Sequence, residues 1–281
     1  MKTCKQTLQH ERFLIPFRRY GDHADVLLCV GGAMQTMAVW REVIRRFSSS
    51  FTVVVFDIPG VGRSKICSGS PQVSLDEQIG VVCALVEHIA PRGALTLAGS
   101  SWGTAVATGY AVRYPQAVDQ LVLSSFGMQP TPEMRHIIEQ AQALYNDRNY
   151  AAGADIIIRM FGQEIGPTYK RQIESQFSNL TDESAAAFYE HCCNILMHRH
   201  LEDWLDLSRI EARTLIVNGS KDRIIDQRDM WTAAQRIPDC ECVLVEGVGH
   251  FLHFERPDIL DHYVAFFEAP VEVPHQALST A

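Results

Sequence analysis

The 281-residue sequence contains no apolar run long enough to cross a membrane and no excess of positive charge. Its longest apolar runs, such as 26–30 and 53–56, have the length of strands, whereas a spanning helix needs about 20 apolar residues. Lysine and arginine total 25 against 33 aspartate and glutamate residues, which gives a net charge of −8. This balance argues against nucleic-acid binding through a basic surface.

Signals of targeting and of cofactor binding are scarce as well. The first residues are polar and lack the apolar stretch of a signal peptide, so we expect a cytoplasmic protein. The eight cysteines are scattered, and we expect buried free thiols rather than disulfides or a zinc site. Gly31 and Gly32 lack the further spacing of a dinucleotide-binding loop, so we expect no cofactor and no metal.

The sequence does contain a regular alternation of strand-like apolar runs and helical stretches. Strands are predicted at 13–18, 26–30, 52–56, 95–98, 120–124, 214–217 and 242–245. Helices are predicted at 40–47, 75–89, 102–114, 228–236 and 258–267. The alternation predicts an α/β fold, with a mostly parallel central sheet, helices on both faces and ligands at the carboxyl ends of the strands.

One segment interrupts this alternation. From about 130 to 207 the pattern favours helices alone, at 133–145, 150–161, 168–177 and 183–196. We therefore predict a core formed by residues 1–129 and 208–281, with residues 130–207 inserted as a helical cap. The tail from Pro270 is expected to be weakly ordered.

The most informative motif is Gly99-x-Ser101-x-Gly103, which follows a predicted strand and opens a predicted helix. Glycine at both positions removes side chains that would collide with the strand and the helix at so tight a turn. The turn exposes the Ser101 hydroxyl at a helix N-terminus, where backbone N–H groups stabilise a developing anion. We therefore predict that Ser101 is a nucleophile.

A serine nucleophile needs a base that takes its proton and a third group that orients the base. Asp222 follows a predicted strand and a glycine turn, and it is the candidate acid, with Asp226 as the fallback. His250 lies in a glycine-containing loop after the next strand and is the candidate base. His253, three residues further on, is the alternative to His250.

Stabilising an oxyanion requires two backbone N–H donors. We expect one from Trp102, the residue after the nucleophile, and one from Ala33 in the loop after the strand at 26–30. The turn that runs from Asp57 to Ser64 is expected to be structural, with these two side chains fixing it by hydrogen bonds.

Three histidines, His191, His198 and His200, raise the question of a metal site in the cap. No fourth ligand is well placed beside them, and a solvated helix face is the preferred interpretation.

Together these motifs resemble the nucleophile elbow, the acid and the base of α/β-hydrolases with a helical cap, in the order serine, acid, histidine. A narrower resemblance is to the 3-hydroxyacyltransferases related to the HAA synthase of rhamnolipid biosynthesis and to 3-hydroxyacyl-ACP:CoA transacylases. It spans about 25–268 and is carried by Val30-Gly-Gly-Ala-Met34, Val55-Phe-Asp-Ile-Pro59, Ser100-Ser-Trp-Gly103, Ala141-Gln-Ala-Leu144, Val217-Asn-Gly-Ser220 and Val245-Glu-Gly-Val-Gly-His-Phe-Leu252.

This resemblance implies an acyl-serine at Ser101, formed from a fatty 3-hydroxyacyl thioester carried on acyl carrier protein or CoA. A second molecule's 3-hydroxyl, or a thiol, would then accept the acyl group. Gly31 and the run Arg223-Ile-Ile225 differ from the residues usual in that group, and they leave the acceptor open. The net charge stays compatible with a small cationic patch for such a carrier.

The same three residues serve two reactions, transfer and hydrolysis by an esterase or thioesterase. Water is present at about 55 M, whereas a well-oriented acceptor reaches an effective molarity of ~10⁵ M or more. Transfer therefore requires a cap that orients the acceptor and keeps the site dry. A third function, non-catalytic binding, is disfavoured because the full set of catalytic residues is present. The sequence leaves the oligomeric state open.

Overall fold

The computed structural model describes residues 3–161, 165–197 and 199–269. Its strands are β1 (Thr3–His10), β2 (Phe13–Tyr20), β3 (Val26–Val30), β4 (Thr52–Phe56), β5 (Lys65–Ile66), β6 (Leu95–Ser100), β7 (Gln120–Ser124), β8 (Arg213–Gly219) and β9 (Cys240–Val245). Within these ranges they form one sheet in the order β1-β2-β4-β3-β6-β7-β8-β9, with β5 paired beside β2.

The sheet is mostly parallel, which confirms the predicted fold class. The strands from β4 across to β9 in the sheet order pair in parallel, and β1, β2 and β5 add antiparallel pairings at one side. Strands β3 and β4 are buried along their whole length, as expected of apolar runs covered on both faces. Strand β1 escapes sequence-based prediction because Thr3–His10 is polar and largely exposed.

Helices cover both faces of the sheet. They are α1 (Arg41–Phe47), α2 (Leu75–Ile89), α3 (Trp102–Arg113), α4 (Pro132–Asn146), α5 (Ala151–Phe161), α6 (Pro167–Ser178), α7 (Asp182–Met197), α8 (Gln227–Ala234), α9 (Leu252–Glu255) and α10 (Leu260–Glu268). Successive side chains of a strand point to opposite faces. Leu27 of β3 packs in one core with residues of α1 and α10, whereas Leu28 packs in the other with residues of α2, α3 and α8.

The start of α2 shows how local sequence fixes an element. The Ser74 hydroxyl accepts a hydrogen bond from the Glu77 N–H, and the Glu77 carboxylate accepts one from the Ser74 N–H at 2.9 Å. This reciprocal cap satisfies two backbone donors that the first helical turn leaves without partners. It sets the register that turns Gln78 into the core, where this side chain is 1% exposed.

Helices α4 to α7 lie between β7 and β8 in the chain, where the cap is predicted. Two side-chain amides attach them to the core. Asn194 Nδ2 donates to the Val73 carbonyl at 2.5 Å, and Gln176 Nε2 donates to the Met34 carbonyl at 3.0 Å. The proposed boundaries, with a core of 1–129 and 208–281 and a cap of 130–207, stay a prediction, and the tail from 270 lies outside the described residues.

The expectation of a solvated histidine face is wrong for His191. Its side chain is fully buried, because the face of α7 that also carries Ala187 and Asn194 packs against the core. Gly60 approaches Ala187 so closely that a Cβ added to the glycine would lie 2.7 Å from the Ala187 Cβ. His200 accepts a hydrogen bond from the Glu202 N–H, and His198 lies outside the described residues.

The described part of the chain contains no cluster of three or more metal-ligating side chains, and none of its helices is long and apolar enough to cross a membrane. All eight cysteines are free. The expectation that they are buried holds for Cys29 and Cys192 but is wrong for Cys4 and Cys67, which lie exposed on the edge strand β1 and in the loop after β5.

Burial of His191 predicts a pH-dependent stability. Neither ring nitrogen has a hydrogen-bond partner among the described residues, and burial lowers the pKa to about 4. The pKa of the unfolded side chain is about 6.5, so between pH 6.5 and 4 the unfolded state binds more protons than the folded state. The free energy of unfolding therefore decreases as the pH drops from about 6.5 to 4. The slope is at most about 1.4 kcal/mol per pH unit.

We expect His191→Leu to be at least as stable as the wild type at about pH 7.5 and to lose less stability at about pH 5. Denaturant unfolding at both pH values measures this, with His136→Leu at an exposed position of α4 as the control. An identical pH dependence in the wild type and His191→Leu would show that this histidine does not contribute to it.

Candidate active site

Ser101 occupies the turn between β6 and α3 in a strained backbone conformation. Its φ of +53° and ψ of −124° are unfavourable for a residue with a side chain, at roughly 1–3 kcal/mol. The Ser101 N–H donates to the Ser124 carbonyl at 2.9 Å, and its carbonyl accepts from the Thr104 N–H at 2.9 Å. These bonds hold the turn between two buried strands and the helix.

The glycines of the turn are required by close backbone packing. A Cβ at Gly99 would lie 2.6 Å from the Gly103 carbonyl oxygen, and one at Gly103 would collide with the Val30 carbonyl of the neighbouring strand. Gly32, in the loop after β3, approaches Ser101 itself, since a Cβ there would lie 2.9 Å from the Ser101 Cβ. The spacing predicted from sequence therefore has a steric cause in the structure.

The structure brings Ser101, His250 and Asp222 into one hydrogen-bonded chain. His250 Nε2 lies 3.0 Å from Ser101 Oγ, and His250 Nδ1 lies 2.7 Å from Asp222 Oδ2. An ionised carboxylate only accepts hydrogen bonds, so Nδ1 carries a proton and Nε2 is left to accept the serine hydroxyl. The side chains of His250 and Asp222 are 5% and 0% exposed, which keeps the ion pair formed by the protonated imidazole away from water.

Further bonds fix the acid and the base. Asp222 Oδ1 accepts from the Ile224 N–H at 3.1 Å, and the His250 carbonyl accepts from Ser125 Oγ at 2.7 Å. The His250 ring also packs beside the rings of Phe161 and Phe251, with centroids 5.4 and 5.6 Å away. The imidazole is thus held in place from both its backbone and its ring.

The alternative acid and base lie elsewhere. Asp226 caps α8 by accepting from the Arg228 N–H at 2.9 Å, and the Arg228 guanidinium lowers the pKa of this carboxyl. His253 Nε2 lies 2.9 Å from the Tyr263 hydroxyl in the core, and burial lowers its pKa to about 4. Neither side chain joins the hydrogen-bonded chain at Ser101.

The loop after β3 lies close to Ser101 and contains two backbone N–H groups of interest. The Gly32 N–H donates to Gln35 Oε1 at 2.7 Å, whereas no described residue accepts a hydrogen bond from the N–H of Ala33. Ala33 lines the cavity in front of Ser101, and Met34, with a φ of +60°, turns the loop sharply. Trp102 is the first residue of α3, so its N–H lies in the first helical turn.

Buried amides tie the site to the cap, and the motifs do not identify them. Trp102 Nε1 donates to Gln78 Oε1 at 2.9 Å, and Gln78 Nε2 donates at 3.3 Å to the same Val73 carbonyl that Asn194 of α7 uses. Gln78 and Asn194 are each 1% exposed. The one available sequence signal is a polar residue on the apolar side of α2.

Asp57 has the structural role expected of it. Its Oδ1 accepts from the Met37 N–H at 2.7 Å and its Oδ2 from the Arg63 N–H at 2.9 Å, while burial raises the pKa of the carboxyl. Ser64 Oγ donates to the Leu14 carbonyl at 3.2 Å. These bonds connect the turn after β4 to the loop after β3 and to β2.

A cavity of about 1070 Å³ lies between the core and the cap, and Ser101 and His250 form part of its wall. Its volume lies just above the roughly 300–1,000 Å³ typical of small-molecule sites. Most of the cap lining is apolar and includes Ile137, Ile156, Ile157, Phe161, Phe177 and Ile195. The apolar run at the end of α5 therefore lines a cavity as well as packing against α4.

The steric account of the turn predicts opposite effects for two glycines. Gly103→Ala should abolish activity and lower the melting temperature, because its Cβ has no room beside the Val30 backbone. Gly80→Ala in α2 should stabilise by about 0.5–1 kcal/mol, because its Cβ meets only an ordinary contact 3.4 Å from His10. Ester hydrolysis assays and thermal unfolding test both variants. An active, fully stable Gly103→Ala variant would refute the account.

Known proteins share the architecture. The crystal structure of MGS-M2, an α/β hydrolase enzyme from a Medee basin deep-sea metagenome library, matches with a TM-score of 0.82 at 18% identity, covering 96% of this chain and 100% of that one. The (R)-3-hydroxydecanoyl-ACP:CoA transacylase of Ectopseudomonas oleovorans is 25% identical over 243 residues, which are 85% of this chain and 81% of that protein.

A second relative is the pimeloyl-(acyl-carrier protein) methyl ester esterase of Aeromonas hydrophila. It is 25% identical over 260 residues, which are 89% of this chain and 99% of that protein. The family of the α/β hydrolase fold matches residues 25–257. With the fold, the turn at Ser101 and these similarities taken together, the chain belongs to the α/β-hydrolase-fold family and is an enzyme of that family.

Proposed function

We propose that the protein is a serine acyltransferase that acts on fatty 3-hydroxyacyl thioesters through an acyl-Ser101 intermediate. The observation that carries this proposal is the hydrogen-bonded chain from Ser101 through His250 to Asp222 on the wall of a large apolar cavity. The similarity to a transacylase named for a 3-hydroxydecanoyl thioester supports the substrate class. The products would be 3-(3-hydroxyalkanoyloxy)alkanoate-type esters, as in rhamnolipid biosynthesis, or acyl groups exchanged between carriers.

In the first half-reaction Ser101 Oγ attacks the thioester carbonyl carbon, and its proton passes to His250 Nε2. The carbon–sulfur bond then breaks, and the same proton leaves with the sulfur as a free thiol. Asp222 keeps the imidazole in the tautomer that accepts the serine proton and stabilises the imidazolium that forms. The product of this step is an acyl ester on Ser101.

The carbonyl oxygen gains negative charge as Ser101 attacks, and we assign its stabilisation to the backbone N–H groups of Ala33 and Trp102. Backbone donors already fixed in place require no reorganisation as the charge develops. The Gln35 side chain, which binds the Gly32 N–H, holds the loop that presents Ala33.

In the second half-reaction an acceptor hydroxyl or thiol gives its proton to His250 and attacks the acyl carbon. The bond to Ser101 Oγ breaks, and the proton returns to the serine. The apolar lining supplied by the cap supports the binding of fatty acyl chains beside Ser101.

Hydrolysis by an esterase or thioesterase is the second candidate. The cavity lining reaches Arg41 and Arg45, whose side chains are 59% and 72% exposed, so the cavity opens to solvent and water has a path to the acyl-serine. The similarity to a methyl ester esterase acting on a carrier-bound acyl chain supports the same alternative.

Ser101→Ala should lower turnover by roughly four to six orders of magnitude without unfolding the protein. The substitution removes one partly exposed hydroxyl, so the melting temperature should stay close to that of the wild type. Intact-protein mass spectrometry after a short incubation with 3-hydroxydecanoyl-CoA should show an acyl adduct on the wild type and on the control Ser50→Ala, and none on Ser101→Ala. An adduct that persists in Ser101→Ala would place the nucleophile elsewhere.

His250→Ala should cost a comparable factor, and the double variant Ser101→Ala/His250→Ala should be no worse than either single variant. The two groups act on one proton transfer, so their losses do not add. His253→Ala, which removes a core histidine outside the hydrogen-bonded chain, is the control and should retain wild-type kcat in the fraction that folds. Additive losses would assign His250 a role independent of Ser101.

Product analysis separates transfer from hydrolysis. Incubation with 3-hydroxydecanoyl-ACP, and separately with the CoA thioester, should give a dimeric ester or an acyl group exchanged between carriers. Free 3-hydroxy acid as the sole product would identify a thioesterase and would overturn the transfer proposal.

A further inference from the structure

The cavity that holds Ser101 is apolar where the cap lines it, and it is lined by arginines where the core lines it. The formally charged side chains in its described lining are Arg18, Arg41, Arg45, Arg63 and a single acid, Asp57. The chain as a whole carries a net charge of −8, whereas the four arginines and one aspartate of the cavity lining give it an excess of positive charge.

Three elements contribute these arginines to the cavity wall. Arg18 comes from β2, Arg63 from the turn after β4, and Arg41 and Arg45 from α1. The two residues on α1 are four apart, so they share one face of the helix. Convergence from separate parts of the chain distinguishes the cluster from a run of basic residues along one solvated helix.

The cluster is poor in carboxylate partners. Among the described residues no salt bridge involves Arg18 or Arg63, and their charges act at longer range on the Asp57 carboxyl, where both favour the ionised form. Arg41 and Arg45 share one carboxylate, that of Glu42, at 3.2 and 3.1 Å. The Asp57 oxygens already accept two backbone N–H groups, those of Met37 and Arg63.

Several guanidinium donors are therefore available to a ligand. Arg18 makes only a long contact of 3.5 Å to the Tyr20 hydroxyl, and the guanidinium of Arg41 donates to the Tyr169 hydroxyl of α6 at 2.8 Å. Planar guanidinium groups bind phosphate oxygens in pairs, which makes arginine the favoured residue where a phosphate is recognised.

We propose that this arginine cluster binds the phosphate group at the far end of the pantetheine arm of the acyl thioester. The inference rests on the proposed function, because a thioester has its reacting carbonyl between an apolar acyl chain and a polar carrier arm. The cavity offers both kinds of lining, with apolar residues from the cap and arginines from β2, α1 and the turn after β4, on a wall that also holds Ser101 and His250. CoA and the prosthetic group of an acyl carrier protein both present this phosphate.

The test compares thioesters of one acyl group with and without the phosphate. Turnover is measured with 3-hydroxydecanoyl-CoA, 3-hydroxydecanoyl-ACP and the phosphate-free N-acetylcysteamine thioester. The double variant Arg18→Gln/Arg63→Gln should lower kcat/KM for the phosphate-bearing substrates by roughly 10- to 100-fold, mainly through KM, and leave the phosphate-free substrate unchanged. Arg46→Gln on α1, whose partner Asp261 lies outside the cavity lining, is the matched control and should change none of the three.

If kcat/KM falls for both phosphate-bearing thioesters, the cluster binds the phosphate that they share. If it falls for the CoA thioester alone, the cluster is assigned to CoA. If it falls for the ACP thioester alone, the cluster is assigned to the carrier protein. An equal loss on the phosphate-free thioester would overturn the proposal, because the arginines would then act on the fold or on the acyl group. No loss on any substrate would overturn it as well.

A separate measurement distinguishes failure of this inference from failure of the proposed function. If no thioester is turned over, the proposed function is wrong, and CoA is then tested as an inhibitor of p-nitrophenyl ester hydrolysis. Competitive inhibition that weakens in Arg18→Gln/Arg63→Gln, but not in Arg46→Gln, upholds the phosphate site. An absence of inhibition in the wild type refutes it.

Discussion

The backbone turn from β6 into α3 is the constraint on which the site depends. Ser101 is held there with a positive φ, and its N–H is bonded to the strand beside it. Such strain persists only where the surroundings over-determine the conformation. Here the surroundings are backbone atoms at the end of β3 and at the start of α3, which leave no room for side chains at Gly99 and Gly103. The position of Ser101 is thus fixed by close backbone packing on both sides of the turn.

The parallel sheet then delivers the remaining groups to the same edge. Ala33 follows β3, Asp222 follows β8 and His250 follows β9, and parallel strands bring their carboxyl ends together. None of these groups belongs to the cap, which contributes the apolar wall of the cavity instead. The hydrogen-bonded chain and most of the apolar wall are therefore built from different parts of the sequence, and the Phe161 ring of α5 beside His250 is a contact that joins them.

Sequence reasoning succeeds where a residue's role follows from local pattern and strand order. Ser101, Asp222 and His250 each follow an apolar strand, so their meeting at one edge could be predicted before any coordinates. The burial of His191 could not be predicted, because the sequence of α7 does not reveal that the helix face carrying this histidine packs against the turn at Gly60. The arginine cluster could not be predicted from the sequence either, because three separate elements contribute to it and no regular spacing along the chain links its residues.

The hydrogen bonds that side-chain amides donate to the Val73 carbonyl determine how firmly the cap is attached to the core. Lifting α7 would strip Asn194 of its partner in a buried region, at roughly 1–3 kcal/mol. Helix α6 faces α1 through the more exposed pair of Arg41 and Tyr169, which water can replace at little cost. Water therefore competes for the contact between Arg41 and Tyr169 more readily than for the buried hydrogen bond of Asn194, so the attachment of the cap to the core is uneven in strength.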